Sequence, residues 1–266
     1  MNGFWVLRVK AGKIMYSSNI KDPTHSIRST QLDDNTQVIS WFNQFSWDII
    51  CFTLSVLILI LYHVYLRRKV RKDPTYTVQA VNRIARRLWV ETLMSSGKPD
   101  VIGVQTLRNS TMAATFLAST AVLLIMGVLT LSAQHLTSVS GGTWHVLNLY
   151  GAHHPELWAV KLLLLLVNLF IAFFSFSMAI RIFNHVGFLL NVPQGLNHKS
   201  ITPQHVAVHL NSAGKYYSIG MRTYYFCVPL VFWLFGPPLM LLATIGLVPL
   251  LYKHDRAPKV MEEDLK

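Results

Sequence analysis

The chain has 266 residues, of which 52% are apolar and only 14% are charged. Soluble domains carry about 25% charged residues, so this composition favours a membrane protein. The two cysteines, Cys51 and Cys227, both lie in apolar runs, which excludes a disulfide framework and a cysteine zinc site. We interpret the net charge of +12 as contact with anionic headgroups, and we expect no nucleic acid as a partner.

Four apolar runs are each too long for the core helix of a soluble domain. A helix crosses a hydrocarbon core of about 30 Å with roughly 20 residues, and it satisfies its own backbone hydrogen bonds in lipid. The sequence therefore predicts an all-α fold: a four-helix transmembrane bundle with cytosolic helical extensions and one amphipathic interfacial helix. The predicted spans are Trp47–Leu66, Thr111–Leu131, Leu157–Ile180 and Tyr224–Tyr252.

This pattern divides the chain into three predicted parts. Residues 1–44 are polar and predict a poorly ordered N-terminal extension, with an organelle-targeting segment as the alternative. Residues 45–255 form the predicted membrane domain, and residues 256–266 form a charged C-terminal tail. No apolar region precedes the first span, so we expect that span to drive insertion.

The connections between the spans differ in charge. The connection between the first two spans is rich in arginine and lysine, whereas residues 137–156 contain neither. Positively charged residues close to a span stay in the cytosol. The first and third connections are therefore predicted to be cytosolic and both termini non-cytosolic, in the plasma membrane or an endomembrane.

An amphipathic helix is predicted over Thr77–Met94, ending before Gly97 and Pro99. At 100° per residue, its apolar residues form one stripe and its arginines face away, which is typical of a helix that lies on the membrane surface or packs under a bundle. The stripe is Val78, Val81, Ala85, Leu88 and Trp89, and the arginines are Arg83, Arg86 and Arg87.

Three polar side chains are predicted within the spans. Asp48 and Lys161 each lie about one turn from the outer end of their span. Lys161 can extend outward to the headgroups, and an ion pair with Asp48 is the alternative hypothesis. Asn168 lies near the middle of the third span. A hydrogen bond across the bundle is its favoured role, and a substrate contact is the alternative.

A candidate binding site lies at the cytosolic ends of the second and third spans. Arg108 and Asn109 begin one span, while Arg181 and Asn184 follow the other, so the two pairs are expected at similar depth. Two arginines and two amides there suit an anionic lipid headgroup or a phosphate. Anchoring and capping of the helix ends is the alternative.

The histidines give only a weak metal signal. His205 and His209 are four residues apart on one predicted helix face, and His145, His153 and His154 cluster in the outer connection with His135 nearby. Neither group has the acidic or cysteine residues of a known ligand pattern. We therefore interpret them as packing and solvated residues, and the sequence predicts no metal and no cofactor.

The last apolar run contains several helix breakers: Pro229, Gly236-Pro237-Pro238 and Pro249. Consecutive prolines interrupt a helix because each removes a backbone donor. Transporters use broken helices at their binding sites, although kinked helices also occur in inert bundles.

Several short motifs stand in a fixed order along the chain. They are Tyr62-His63-Val64 with Lys69-Val70-Arg71, Asn82 with Arg86-Arg87-Leu88-Trp89-Val90, Val104-Gln105-Thr106-Leu107-Arg108-Asn109, Ser177-Met178-Ala179-Ile180-Arg181 with Asn184, Tyr224-Tyr225-Phe226, Trp233-Leu234-Phe235-Gly236-Pro237, and Val248-Pro249-Leu250-Leu251-Tyr252. Over about residues 45–255 they resemble the plant-type branch of the domain-of-unknown-function 599 family. The resemblance implies a four-helix membrane domain and no known activity, and it supplies no catalytic residues to carry over.

No catalytic residues are predicted, because the sequence shows no nucleophile–base pair, no paired carboxylates and no phosphate-binding glycine loop. The favoured hypothesis is a non-enzymatic membrane scaffold, adaptor or complex subunit, motivated by the broad basic cytosolic face. Its expected partners are anionic headgroups and either another protein or a second copy of the chain. The alternative is a small oligomeric channel or carrier, motivated by the break at Gly236 and by Asn168.

Overall fold

The structure is a computed structural model that describes the backbone of residues 23–96, 101–137, 155–192 and 201–257. Side chains are described within these ranges from residue 46 onward, except at residues 134–137 and 155–156. Contacts divide the chain into two units, Met1–Gln44 and Phe45–Lys266. The predicted histidine cluster of the outer connection (His145, His153 and His154) and most of the C-terminal tail lie outside the described residues.

Within these residues the chain forms six α-helices and no strand. They are α1 (Pro23–Lys72), α2 (Val78–Ser95), α3 (Val101–Thr137), α4 (Pro155–Leu190), α5 (Pro203–Phe235) and α6 (Pro237–Asp255). Four segments are long and apolar enough to cross a membrane: Ser46–Lys72, Val101–Ala133, Leu157–Leu190 and Pro203–Phe235. The predicted all-α multi-pass fold is therefore confirmed.

Helix α1 begins at Pro23, well before the predicted first span at Trp47. Residues 24–46 contain neither glycine nor proline. Once a helix has nucleated, each further residue adds one hydrogen bond at little cost, so the helix extends into polar sequence. The backbone from residue 23 is helical, where the sequence predicted a poorly ordered extension.

Helix α4 packs against both α3 and α5. Along the α4–α5 contact, Asn168 bonds to Cys227, and Phe176 lies against Gly220. Because the residue numbers rise on one helix as they fall on the other, the two helices are antiparallel. A Cβ atom on Gly220 would lie only 2.7 Å from the Phe176 ring, so this glycine permits the close approach. We call the end where α1 and α4 finish and α3 and α5 begin the inner end.

Helix α2 confirms the predicted element, and the structure shows which of its residues pack against the bundle. Val90 and Met94 are buried against α4 and α5, whereas Val81 and Leu88 are 41% and 56% exposed. Arg86 faces the bundle and donates from Nε to Asn211 Oδ1 at 2.9 Å. Its burial, together with the nearby Arg83, lowers the pKa of the Arg86 guanidinium. The contact with α5 thus turns Arg86 towards the bundle. Of the predicted apolar stripe, Val81 and Leu88 are exposed, whereas Trp89 packs towards α4 and α5.

The last predicted span, Tyr224–Tyr252, is not one crossing helix. Arg222 and Asp255 are 33 residues apart, a separation that a continuous helix would extend to roughly 50 Å. Their side chains are instead 3.1 Å apart, so α6 turns back beside α5. The turn lies at Gly236, with φ 159° and ψ 151°, and Pro237 follows it without an amide donor.

This hairpin changes the predicted topology. The Ala257 N–H donates to the Tyr76 carbonyl at 3.1 Å, and Arg256 forms an isolated antiparallel bridge with Thr77. The last described residues therefore lie against the α1–α2 connection. Residues 256 and 257 and the α1–α2 connection therefore lie at one end of the bundle, where the sequence analysis expected the membrane to separate them.

Candidate functional site

A groove runs along the inner half of α3 and α4 and has a volume of about 790 Å³. Leu93 of α2 closes one side of it. The side chains of Val104 and Leu107 on α3 and of Phe183 and Phe188 on α4 make most of its wall apolar. The groove is open, and it continues towards the membrane-spanning part of α3.

Two of the four residues predicted for an anionic site meet in this groove. Arg108 and Asn184 both line it, as the antiparallel packing of α3 and α4 requires. Arg181 and Asn109 are exposed at the same inner end but do not line the groove. Asn109 directly follows the lining residue Arg108 and so projects from a different face of α3.

Arg108 is an uncompensated charge among the residues that the structure describes. The ion pairs there are Arg87–Glu91, Lys161–Asp48 and Arg222–Asp255, and Arg108 belongs to none of them. Arg108 has no hydrogen-bond partner within the described ranges, and its side chain is exposed to the groove. An exposed guanidinium beside an apolar wall can bind a phosphate through two parallel hydrogen bonds.

Asp48 and Lys161 form the ion pair that the sequence offered as a hypothesis. Lys161 Nζ lies 2.9 Å from Asp48 Oδ1, and the two side chains are only 4% and 2% exposed. The same carboxylate oxygen accepts a hydrogen bond from Trp233 Nε1 at 2.8 Å. Lys161 also lies 5.2 Å from the centre of the Trp233 ring. These contacts tie α1, α4 and α5 together near the outer end of the bundle.

Asn168 makes a hydrogen bond across the bundle, the favoured of its two predicted roles. Its Nδ2 donates to the Thr223 carbonyl and to Cys227 Sγ, each at 3.0 Å. Both partners belong to α5. The amide therefore contributes to the α4–α5 contact in the half of the helices away from the groove.

A second buried charge cluster was not predicted. Arg222 pairs with Asp255, and the Tyr62 hydroxyl donates to Asp255 Oδ2 at 2.8 Å. This cluster joins α5, α6 and α1. In the sequence, Arg222 lies just before the predicted fourth span, Tyr224–Tyr252, and Asp255 lies just after it. Only the reversal at Gly236 brings them together, and no local pattern signals it.

The pair His205 and His209 shares a face of α5, and His185 of α4 lies beside it. His205 Nε2 and His209 Nε2 are 3.0 Å apart, and the rings of His185 and His209 have centroids 5.3 Å apart. Among the described residues no set of three histidine, cysteine or acidic side chains has the arrangement of a metal site. The contacts are those of packed imidazole rings.

Four candidate spans and two charge clusters that tie the helices together define a multi-pass helical membrane protein. A family model described as "Protein of unknown function, DUF599" matches residues 50–260. The chain therefore belongs to the DUF599 family. No curated protein and no solved structure matches it.

Proposed function

We propose that the chain is a non-enzymatic membrane scaffold, adaptor or complex subunit that presents a basic inner face to a partner protein. The observation that carries this proposal is the distribution of charge. The charged groups inside the bundle, Asp48 with Lys161 and Asp255 with Arg222, bind one another. The inner face instead exposes arginines and lysines of α1 and α2 that have few acidic neighbours.

The inner end is proposed to face the cytosol. Helix α1 finishes with Arg67, Arg68, Lys69, Arg71 and Lys72, and such residues next to a span are retained on the cytosolic side. Because α6 returns to the same end, Arg256 and Ala257 are cytosolic in this arrangement. The proposal changes the side expected for the C-terminal end from non-cytosolic to cytosolic. The connection between the first two spans stays cytosolic, as the sequence predicts.

Crosslinking in native membranes followed by mass spectrometry tests the scaffold proposal. A protein partner is expected to crosslink to α2, and replacing Arg83 and Arg87 together with glutamine should reduce its recovery. Lys253→Gln is the comparison variant, because it removes a positive charge from an exposed residue of α6 at the same inner end. Unchanged recovery with this variant would show that the loss is specific to α2. If wild-type protein crosslinks to nothing except lipid, the proposal is wrong.

A small carrier or channel is the second candidate, and one observation favours it. Oδ2 of Asp48 is buried and has no hydrogen-bond partner within the described ranges. Buried polar atoms without partners are rare and call for an explanation such as a bound water or ion. Trp233, which binds the other oxygen of Asp48, lies just before the break at Gly236, and transporters place substrates at such breaks.

Flux into reconstituted liposomes separates the two candidates. A carrier that uses Asp48 should move an ion or small metabolite, and Asp48→Asn should abolish that movement while the protein still inserts. Liposomes that remain impermeable to ions and to common metabolites would rule out the carrier and leave the scaffold proposal standing.

A further inference from the structure

We infer that the groove between α3 and α4 is a binding site for one anionic phospholipid of the inner leaflet, with Arg108 as its phosphate ligand. The site goes beyond the scaffold proposal because it does not require a protein partner. The two proposals fail independently, since one is read from retained lipid and the other from crosslinked protein.

The position of Arg108 matches the level of a lipid phosphate. It lies three residues before Thr111, the first residue of the span that the sequence predicts. Arginines at such an edge lie among the headgroups. Asn184 lines the same part of the groove and has no hydrogen-bond partner among the described residues. Its amide can donate to a second phosphate or ester oxygen.

The groove continues from Arg108 into the membrane as an apolar track. Met112 and Phe116 line it and are 60% and 74% exposed. Phe116 is eight residues beyond Arg108, which corresponds to roughly 12 Å along the helix. An acyl chain that extends from a headgroup at Arg108 therefore lies along Met112 and Phe116. It covers these two side chains, which are otherwise largely exposed.

A glycine keeps the wall of the groove open. A Cβ atom added at Gly187 would meet nothing nearer than Leu107 Cδ1 at 4.0 Å, so a larger side chain fits there without disturbing the backbone. Such a side chain would project into the volume that the groove now offers. Gly187 lies between Asn184 and Phe188 on α4, at the level where the headgroup is expected.

The charge of the ligand follows from Arg108. A guanidinium without a carboxylate partner favours an anion, and its fork matches the oxygens of a phosphate. A zwitterionic lipid also carries a phosphate, but its ammonium or choline group repels the basic residues of the inner end. The site is therefore expected to prefer a phospholipid with net negative charge.

The experiment compares lipid retention in full-length protein reconstituted in nanodiscs of phosphatidylcholine with and without phosphatidylglycerol. After delipidation, native mass spectrometry should show one phosphatidylglycerol retained by the wild type. Arg108→Ala should lower its affinity about tenfold, the usual effect of losing one charged hydrogen-bonding partner. Arg108→Lys should restore part of the loss.

Two matched controls make the result specific. Arg181→Ala removes an arginine from the same inner end outside the groove and should retain the lipid. Gly187→Leu fills the groove and should displace the lipid even though Arg108 is present. Gly127→Leu makes the same change on α3, where nothing lies within 4 Å of the added Cβ atom, and should leave retention unchanged.

Several outcomes would overturn the inference. Equal loss of lipid in Arg108→Ala and Arg181→Ala would show a diffuse charge effect. Retention of phosphatidylglycerol by Gly187→Leu as strongly as by wild type would place the lipid elsewhere. Equal retention of phosphatidylcholine would remove the preference for anionic lipid. If soluble glycerol phosphate protects the protein against heat as well as the lipid does, the ligand is a free phosphate compound.

Discussion

At the scale of single residues, the buried pair of Asp48 and Lys161 shows how charge is accommodated in this bundle. Both side chains are almost fully removed from solvent and lie 2.9 Å apart. Desolvation of two ions is costly, so such a pair adds little net stability compared with a well-packed apolar pair. Loss of one partner is different, because it leaves the other charge buried and uncompensated.

We expect Lys161→Met to lower the free energy of unfolding by about 3–5 kcal/mol, because Asp48 would then be buried without its cation. The exchange Asp48→Lys with Lys161→Asp should recover part of this loss. Recovery should be incomplete, since Trp233 Nε1 would face an ammonium group instead of a carboxylate. Thermal unfolding in detergent measures each variant. If the exchange is no more stable than Lys161→Met, the two residues do not act as a pair.

At the scale of helices, the α4–α5 contact depends on a glycine that accepts an aromatic ring. Phe176 is fully buried, and it packs between Gly220, Tyr217 and Tyr224 of α5. The Tyr224 hydroxyl also donates to the Leu117 carbonyl of α3. The ring therefore has little room to move if the glycine gains a side chain.

Gly220→Ala is expected to destabilise the protein by about 1–3 kcal/mol, the usual cost of overpacking a core. The added Cβ atom would lie 2.7 Å from the Phe176 ring. Gly246→Ala on α6 is the matched control, because nothing lies within 4 Å of its added Cβ atom. The control should be neutral or gain up to about 1 kcal/mol in helix stability. Similar unfolding midpoints for both variants would contradict the close packing.

The two faces of α2 are also decided at this scale. Trp89, Val90 and Met94 pack towards α4 and α5, while Ile84 and Leu88 are 47% and 56% exposed. An exposed apolar stripe on a helix at the inner end of a membrane bundle suits the boundary between headgroups and acyl chains. We therefore predict that the helix uses one face for the bundle and a second for lipid.

Nitroxide labels on adjacent residues test this assignment. A label at Leu88 should be relaxed by oxygen, which concentrates in lipid, and a label at Arg87 by a water-soluble nickel complex. Cys51→Ala and Cys227→Ala remove the native thiols first. The opposite pattern, with Leu88 in water and Arg87 in lipid, would show that α2 lies with its basic face against the membrane.

At the scale of the whole molecule, the returning helix α6 brings the last described residues to the inner end, and we predict that they share its side of the membrane. The Tyr62–Asp255–Arg222 cluster and the contact between Tyr76 and Ala257 hold its end at the inner end. The C-terminal end of α6 lies beside the basic residues of α1, so the acidic side chain of Asp255 has cationic groups nearby.

Labelling from one side of the membrane tests this topology. Single cysteines at Arg71, Arg256 and His145, in a protein without its native cysteines, are exposed to a membrane-impermeant maleimide in sealed vesicles. Arg71→Cys and Arg256→Cys should react from the same side, and His145→Cys from the other. If Arg256→Cys reacts together with His145→Cys, α6 does not return to the inner end.

The sequence by itself indicated a membrane protein, three of the four spans and the family, and it offered the pairing of Asp48 with Lys161 as a hypothesis. Hydropathy over 20 residues is a local property of the sequence. A long apolar run is unfavourable in water and becomes stable when a bilayer surrounds it. Two opposite charges at the same depth in a narrow bundle have few other partners available, which favours a pair between them.

Only the tertiary structure decided which face of α2 packs against the bundle, that α6 turns back beside α5, and which residues of the inner end line the groove. Arg86 resembles its neighbours Arg83 and Arg87 in sequence, yet it faces Asn211 because α5 offers an acceptor there. Helix breakers at Gly236 indicate an interruption but not its angle. Arg108 lines the groove and Arg181 does not, because rotation about a helix axis is fixed by packing, which no local pattern contains.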